Sequence, residues 1–174
     1  MMIVEDGVGT PGANSYVSLN YANTYFSMYL NEAWDGEDSE KETSLIMATQ
    51  SVDLLYGDLF LSWRKVDSLG PLLFPRIFFY DNNYQIVQMN QIPECLMRAV
   101  CEIACLYLQG IDIFPSGNTD NNVNDSMLKV GDIEISNKYV RTKGDVERYA
   151  NFRKIDLILK PILKPKSVKV TLSR

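Results

Sequence analysis

Histidine is absent from the 174 residues. Its absence removes the imidazole base of Ser-His-Asp and Cys-His nucleophiles and every His-ligated metal site. Cysteine is scarce. Three thiols cannot build a disulfide framework, so a reducing, cytosolic setting is expected. Cys95, Cys101 and Cys105 fall in one helical stretch, and only the last two lie a turn apart. They read as buried structural thiols, not as a zinc site. Long apolar runs are lacking too. The longest are a few residues, as in Leu72-Leu73-Phe74, so no membrane-spanning helix is expected. The opening Met1-Met2-Ile3-Val4-Glu5-Asp6 has no basic region and no apolar stretch, and a signal peptide is not expected. With no activated nucleophile or acid–base pair in view, the chain reads as a protein without enzymatic activity, cofactor or metal.

Positive charge is missing from most of the chain. Residues 1–128 carry 5 Lys/Arg against 17 Asp/Glu, a balance of −12, whereas residues 129–174 carry 12 against 5, a balance of +7. The net charge of −5 therefore hides a division. A basic end of this kind suits an acidic partner, either nucleic acid or an acidic face of another subunit, and it is equally the pattern of a solvated basic helix and tail. A strongly acidic remainder is a poor general nucleic-acid binder, since affinity there depends on neutralising phosphates.

What is present is ordinary globular material. Apolar residues make up 46% and charged residues 22%, enough for a real core and consistent with one domain of this length. After a turn-rich start, Ser18 is placed to cap a first helix whose apolar positions are Leu19, Ala22, Tyr25, Phe26, Tyr29 and Leu30. Ser39 with Glu42 has the spacing of a capping box for a second helix, with Leu45, Ala48, Thr49, Val52 and Leu55 or Tyr56 on one stripe and Gly57 at its stop. Residues 58–90 are irregular but too apolar for a free linker, so they are expected to pack as an ordered loop with short strands and a turn at Asp81-Asn82-Asn83. Pro93 and Gly110 bracket a third helix that is apolar on most sides, with Glu94, Arg98 and Glu102 as its one charged stripe. Such a helix is either central or covered by a neighbouring subunit. Residues 111–126 read as a mobile loop. Gly131-Asp132 between apolar pairs signals a hairpin at about 127–135. A fourth helix is expected over about 145–159, with Tyr149, Phe152, Ile155 and Leu159 on one face and Pro161 at its end. The tail Ser167-Val168-Lys169-Val170-Thr171-Leu172 alternates as a strand does. Such a strand pairs either with an edge in another protein or with the 127–135 hairpin of its own chain. The fold class is thus mainly α: a bundle of about four helices with a small hairpin, a long irregular segment, a helical domain over 1–163 and an extended arm over 164–174.

Gly7, Gly9 and Gly12 spell G-x-G-x-x-G, but Pro11 lies inside and no strand–helix context surrounds them, so no dinucleotide site is expected. Asp120, Asn122 and Asn124 begin like a calcium loop and then fail at Asp125 and Gly131. Tyr139, Arg141, Lys143, Arg148, Tyr149, Phe152 and Arg153 mix rings with cations. That suits stacking on single-stranded bases, although Tyr149 and Phe152 also fit the core face of the last helix.

The run Val4-Glu5-Asp6-Gly7, with Ala13-Asn14-Ser15-Tyr16-Val17-Ser18-Leu19, resembles a family of tailed-phage proteins. The likeness continues through Ala22, Tyr25-Phe26, Leu45-Ile46, Ala48-Thr49, Phe74-Pro75-Arg76, Ile92-Pro93, Glu102-Ile103-Ala104 and Val130-Gly131-Asp132-Ile133. The family is often labelled DnaT-like single-stranded DNA-binding protein and is similar to phage head–tail connector, or adaptor, proteins. Its most specific parts here are Asn14, Ser15 and Tyr16 and the tripeptide Phe74, Pro75 and Arg76. Many relatives have Trp where Phe74 stands and Pro where Asp132 stands. The resemblance implies a structural adaptor in the virion neck, present in the host cytoplasm during assembly. Its partners would be the portal protein, a tail or neck protein below it, and further copies of itself in a ring of about twelve. Genomic double-stranded DNA would pass through without specific binding, and no membrane is involved. Lys164, Lys166, Val168, Lys169, Val170, Leu172 and Arg174 are the residues expected to grip the portal or a neighbouring subunit. The alternative takes the label literally, as single-stranded DNA binding through the basic C-terminal third.

Overall fold

The structure is a computed structural model; it describes residues 1–29, 31–64, 69–111, 113 and 153–164, and the backbone of residues 124–130 and 133–139. The fold is mainly α with a small antiparallel hairpin, as the periodicities predict. Its contacts group into two compact units, one of Met1–Ile113 with the chain from Leu157 onward, the other of Phe114–Asp156.

Helix α1 spans Leu19–Met28, and the Ser18 hydroxyl accepts from the Tyr21 amide at 3.2 Å. Ala22, Tyr25 and Phe26 are its buried face. Tyr29 lies past its end and is exposed. Helix α2 spans Asp38–Tyr56 and is capped two residues earlier than the sequence suggests. Glu37 is the N-cap, and the Glu40 carboxylate reaches back to the Glu37 amide at 3.1 Å. The acidic run offers two equivalent capping-box spacings. Gly36, at φ 134°, supplies the turn that selects the earlier one. The core stripe of α2 is Leu45, Ala48, Thr49, Val52 and Tyr56, with Leu55 left outside.

Gly57 does not stop the chain in a left-handed turn; it continues right-handed into a 3-10 turn, Gly57–Leu59. A Cβ there would meet Leu73 Cδ1 at 2.6 Å, so a larger residue requires that side chain to move. The irregular stretch is ordered where described and holds two short strands, β1 (Phe79–Tyr80) and β2 (Ile86–Val87), paired antiparallel. Helix α3 spans Glu94–Leu108, opened by Pro93 and followed by Gly110 at φ 72°. Leu96, Ala99, Val100, Cys101, Ile103, Ala104 and Cys105 are all buried, and its main neighbour is α2. Of the two explanations for so apolar a helix, the central position is the one observed.

Helical turns at 153–159, α4, lead into a 3-10 turn at Lys160–Ile162 that contains Pro161. Ile155 and Leu159 are buried, as expected of that face, while Tyr149 and Phe152 lie outside the described residues. The chain then runs beside the segment after α2. Leu163 bridges Phe60, the Leu61 amide donates to the Ile162 carbonyl at 2.8 Å, and the Lys164 amide donates to the Leu59 carbonyl at 2.7 Å.

The second unit contains the hairpin β3 (Asn124–Val130) and β4 (Ile133–Tyr139), with Val130 opposite Ile133 across a two-residue connection. It is longer than expected, and residues 124–126 belong to β3 and not to the preceding loop. Lys129 stands opposite Glu134 and Asp125 opposite Lys138, while Leu128 opposes Ile135. The rest of the 111–126 loop other than Ile111 and Ile113, the turn residues Gly131 and Asp132, and the tail strand at 167–172 lie outside the described residues. No described helix is long and apolar enough to cross a membrane.

Candidate functional site

The residues that carry the resemblance converge on one buried cluster. Asn14 ties the first residues down: its Oδ1 accepts from the Ile3 amide at 2.7 Å and its Nδ2 donates to the Met1 carbonyl. Ser15 is fully buried and closes a tight loop, donating to the Val17 carbonyl and accepting from the Val17 amide. Tyr16 then enters the core. Its hydroxyl lies 2.7 Å from Asp53 Oδ1 and accepts from the Phe74 amide at 3.1 Å, while its amide donates to Thr49 Oγ1. Asp53 also accepts from the Leu73 amide at 3.1 Å. The Phe74–Pro75 peptide is cis, and the Phe74 ring meets Tyr16 and Phe60 edge-on. Arg76 is buried, lies over the Phe60 and Phe74 rings at 5.6 Å and donates to the Ser62 carbonyl at 2.7 Å.

The electrostatics follow from burial. Burial pushes the Asp53 carboxyl up to about 6, although the Tyr16 hydroxyl, the Leu73 amide, Arg76 and Arg64 all favour its charged form. Burial, reinforced by Asp53, holds the Tyr16 hydroxyl protonated well above the ordinary phenol range. Burial also lowers the Arg76 guanidinium. This cluster is a fastener between α2, the N-terminal segment and the loop at 73–76.

The glycine motif near the start has a similar internal role. Glu5 is 1% exposed, and its carboxylate accepts from the amides of Gly7, Gly9 and Thr10 at 2.8–2.9 Å. Successive amides in such a turn form an anion cradle. Here the anion is the chain's own side chain. Gly7 is obligatory at φ 101°, where a Cβ would also sit 2.5 Å from the Asn90 carbonyl oxygen. Cys101 and Cys105 are buried, and burial pushes the Cys101 thiol far up and the Cys95 thiol to about 11, so neither Cys95 nor Cys101 is an activated thiol. Among the described residues, no group of three or more Cys, Asp or Glu side chains is placed to hold a metal ion.

Surface chemistry is found elsewhere. Among the residues expected to grip a partner, Lys164 is described: it is exposed, and its Nζ donates to the Asp58 carbonyl at 2.8 Å. Lys166, Val168, Lys169, Val170, Leu172 and Arg174 lie outside the described residues. Of the mixed ring-and-cation set, Arg153 is exposed and Tyr139 ends β4. The stretch 153–164 carries Arg153, Lys154, Lys160 and Lys164, all exposed, against Asp156 alone.

The described cations of residues 1–113 are used within their unit. Lys41 lies over the Trp34 ring, Arg64 donates to the Gly70 carbonyl, Arg76 is buried, and half-buried Arg98 is held beside Tyr25 and Glu94. The Glu94–Arg98–Glu102 stripe faces α1, where Glu102 accepts from the Tyr25 hydroxyl at 2.7 Å.

The short strands and the Asp81-Asn82-Asn83 turn expected within residues 58–90 form the β1–β2 hairpin, although the sequence reading gives it no surface role. Asp81 Oδ1 accepts from the Asn83 and Gln85 amides and so shapes its turn. Asn82 fastens that turn to the C-terminal stretch, through its amide to the Pro161 carbonyl and its Nδ2 to the carbonyls of Lys160 and Leu163. Phe79 and its partner Val87 face inward, while Phe78, Tyr80, Tyr84 and Ile86 are exposed.

No curated protein and no solved structure matches this chain. A family model does, over residues 1–174, and the chain belongs to the family described as "Putative DnaT-like ssDNA binding protein".

Proposed function

We propose that the chain binds single-stranded DNA through its basic C-terminal third. The observation that carries this reading is the exposure of Lys160 and Lys164 in the first unit, with Arg153 and Lys154 exposed in the second. The family description points the same way. Backbone phosphates are met by solvent-facing Lys and Arg, and such binding weakens steeply with salt. The low overall pI argues against it, and the basic excess that supports it is confined to residues 129–174. The test is the affinity for oligo-dT across a salt series. Binding that falls with a log–log slope of about −0.7 per neutralised phosphate supports the reading. No binding at low salt sinks it.

A second reading, a head–tail adaptor ringed beneath a phage portal, is supported by the resemblance of residues 3–135. It is also supported by the rooting of Leu163 and Lys164 against Leu59 and Phe60, which gives a basic tail a fixed point of departure. The partners in that case are the portal, a tail or neck protein, and other copies of the chain in a ring of about twelve. An acidic N-terminal unit around the channel would repel phosphate and let the genome slide. Charge reversal at Lys164, Lys166 and Lys169 separates the two readings. The adaptor loses portal docking with unchanged DNA affinity, and the DNA binder does the reverse. Electron microscopy of the protein mixed with its portal, with a ring added beneath, is the direct check on the adaptor.

A further inference from the structure

We infer that the outer face of the β1–β2 hairpin, formed by Phe78, Tyr80 and Tyr84 beside Lys160, is a platform on which the bases of single-stranded DNA stack. The inference rests on the single-stranded DNA reading above and assigns it a place in the fold. Three rings are turned to solvent along one short ribbon: Phe78 and Tyr80 are each 59% exposed and Tyr84 is 87% exposed. The alternation is strict, since Phe79 between the first two is buried, so the exposure is built into the pleat. Tyr84 sits at φ 61°, an uncommon conformation for a ring-bearing residue, and the turn that holds it there is fixed by Asp81 and Asn82.

Charge selects the occupant. Asn82 bonds the Lys160 and Leu163 carbonyls, which sets exposed Lys160 close to the ribbon, while Lys164 turns its Nζ to the Asp58 carbonyl. The acidic group in the turn, Asp81, is already engaged by two backbone amides. Rings with cations alongside are the arrangement that binds single strands without regard to sequence: every base has a face to stack, and phosphates take the lysines. A groove of about 270 Å³ opens next to the ribbon, between Ile86, the start of α3 at Pro93, and Pro161. Exposed Gln91 on its wall can donate to a base edge, and the carboxylates that line it, Asp81 and Glu94, are met by two backbone amides and by Arg98.

The experiment measures anisotropy of labelled oligo-dT at low and moderate salt, with circular dichroism melts to confirm folding. The variants are Tyr80→Ala/Tyr84→Ala, Tyr80→Phe/Tyr84→Phe and Lys160→Glu. Loss of stacking costs roughly fivefold to a hundredfold per base, so the Ala pair is expected to lose at least about tenfold at both salts with an unchanged salt slope. The Phe pair is expected to bind like the native chain, and Lys160→Glu to flatten the slope. An Ala pair that binds as tightly as the native chain overturns the platform while leaving DNA binding intact. An Ala pair that keeps its DNA affinity but loses self-association in sedimentation also overturns it, and makes the ribbon a contact between copies. Failure of the native chain to bind oligo-dT at all defeats the underlying reading itself.

Discussion

Residues 1–113 and the stretch 153–164 treat positive charge differently. In the first, Arg76 is buried against two rings, half-buried Lys41 lies over Trp34, half-buried Arg98 is held beside Tyr25, and exposed Arg64 donates to the Gly70 carbonyl. In the second, all four cations are exposed, Lys164 with its Nζ on the Asp58 carbonyl. A buried guanidinium is useful because its rings and carbonyl partners fix one packing arrangement, and its removal is felt as stability. An exposed lysine contributes little to stability and is available for ligands. The difference teaches where to look for structure and where for binding, although the two regions share one chain and one net charge.

The largest effect should come from the absorbing side. Phe74→Ala removes a ring that is 1% exposed and touches Tyr16, Phe60 and Arg76, so a loss of about 3–5 kcal/mol is expected in urea unfolding. DNA affinity of the folded fraction should stay unchanged, and a loss of affinity there would break the division.

Asp53 gives the next effect. Its folded-state carboxyl titrates at about 6, above the ordinary 3.8, so the folded state holds the proton more tightly than the unfolded state. The contribution of this group to stability is therefore greatest below about pH 4, declines between about 4 and 6, and is level above, with a total change of roughly 2–3 kcal/mol. Subtracting the pH–stability profile of Asp53→Asn from that of the native chain isolates the slope. A flat difference would show that Asp53 is solvated in the folded state.

On the exposing side, Lys160→Glu with Lys164→Glu should cost about tenfold or more in oligo-dT affinity, about 1.4 kcal/mol, while unfolding midpoints barely move. A large stability loss here would place these lysines with the absorbed cations. The smallest expected effect is at a cap. Ser18→Ala removes the bond to the Tyr21 amide and should cost about 1 kcal/mol in unfolding with no change in DNA binding.

Local signals carried much of the fold. Ser18, Pro93 and the Val130–Ile133 turn act within four residues of themselves, and each sits where its chemistry demands. The family motif was legible as a motif but not as a mechanism. Tyr16, Asp53 and Phe74 meet from positions 37 and 20 or more residues apart, and nothing around Asp53 in the sequence distinguishes it from any solvent-facing helix carboxylate. Glu5 is a similar case: its three amide donors follow it directly, yet the glycines draw attention to a phosphate and away from the side chain that fills the cradle. Phe78 and Tyr80 read as core material because the whole stretch is apolar. The pleat, with Phe79 turned inward between them, is what separates wall from surface, and a strand of two residues is too short to announce its period.

The return of the chain at Ile162, Leu163 and Lys164 has a mechanical meaning. A pull on everything beyond Lys164 is received by two loops far away in sequence: Leu59 and Leu61 through backbone bonds, and Asn82 through its amide and side chain. The root of the tail is therefore joined at two places, and a load on Lys164 is shared between the end of α2 and the β1–β2 turn.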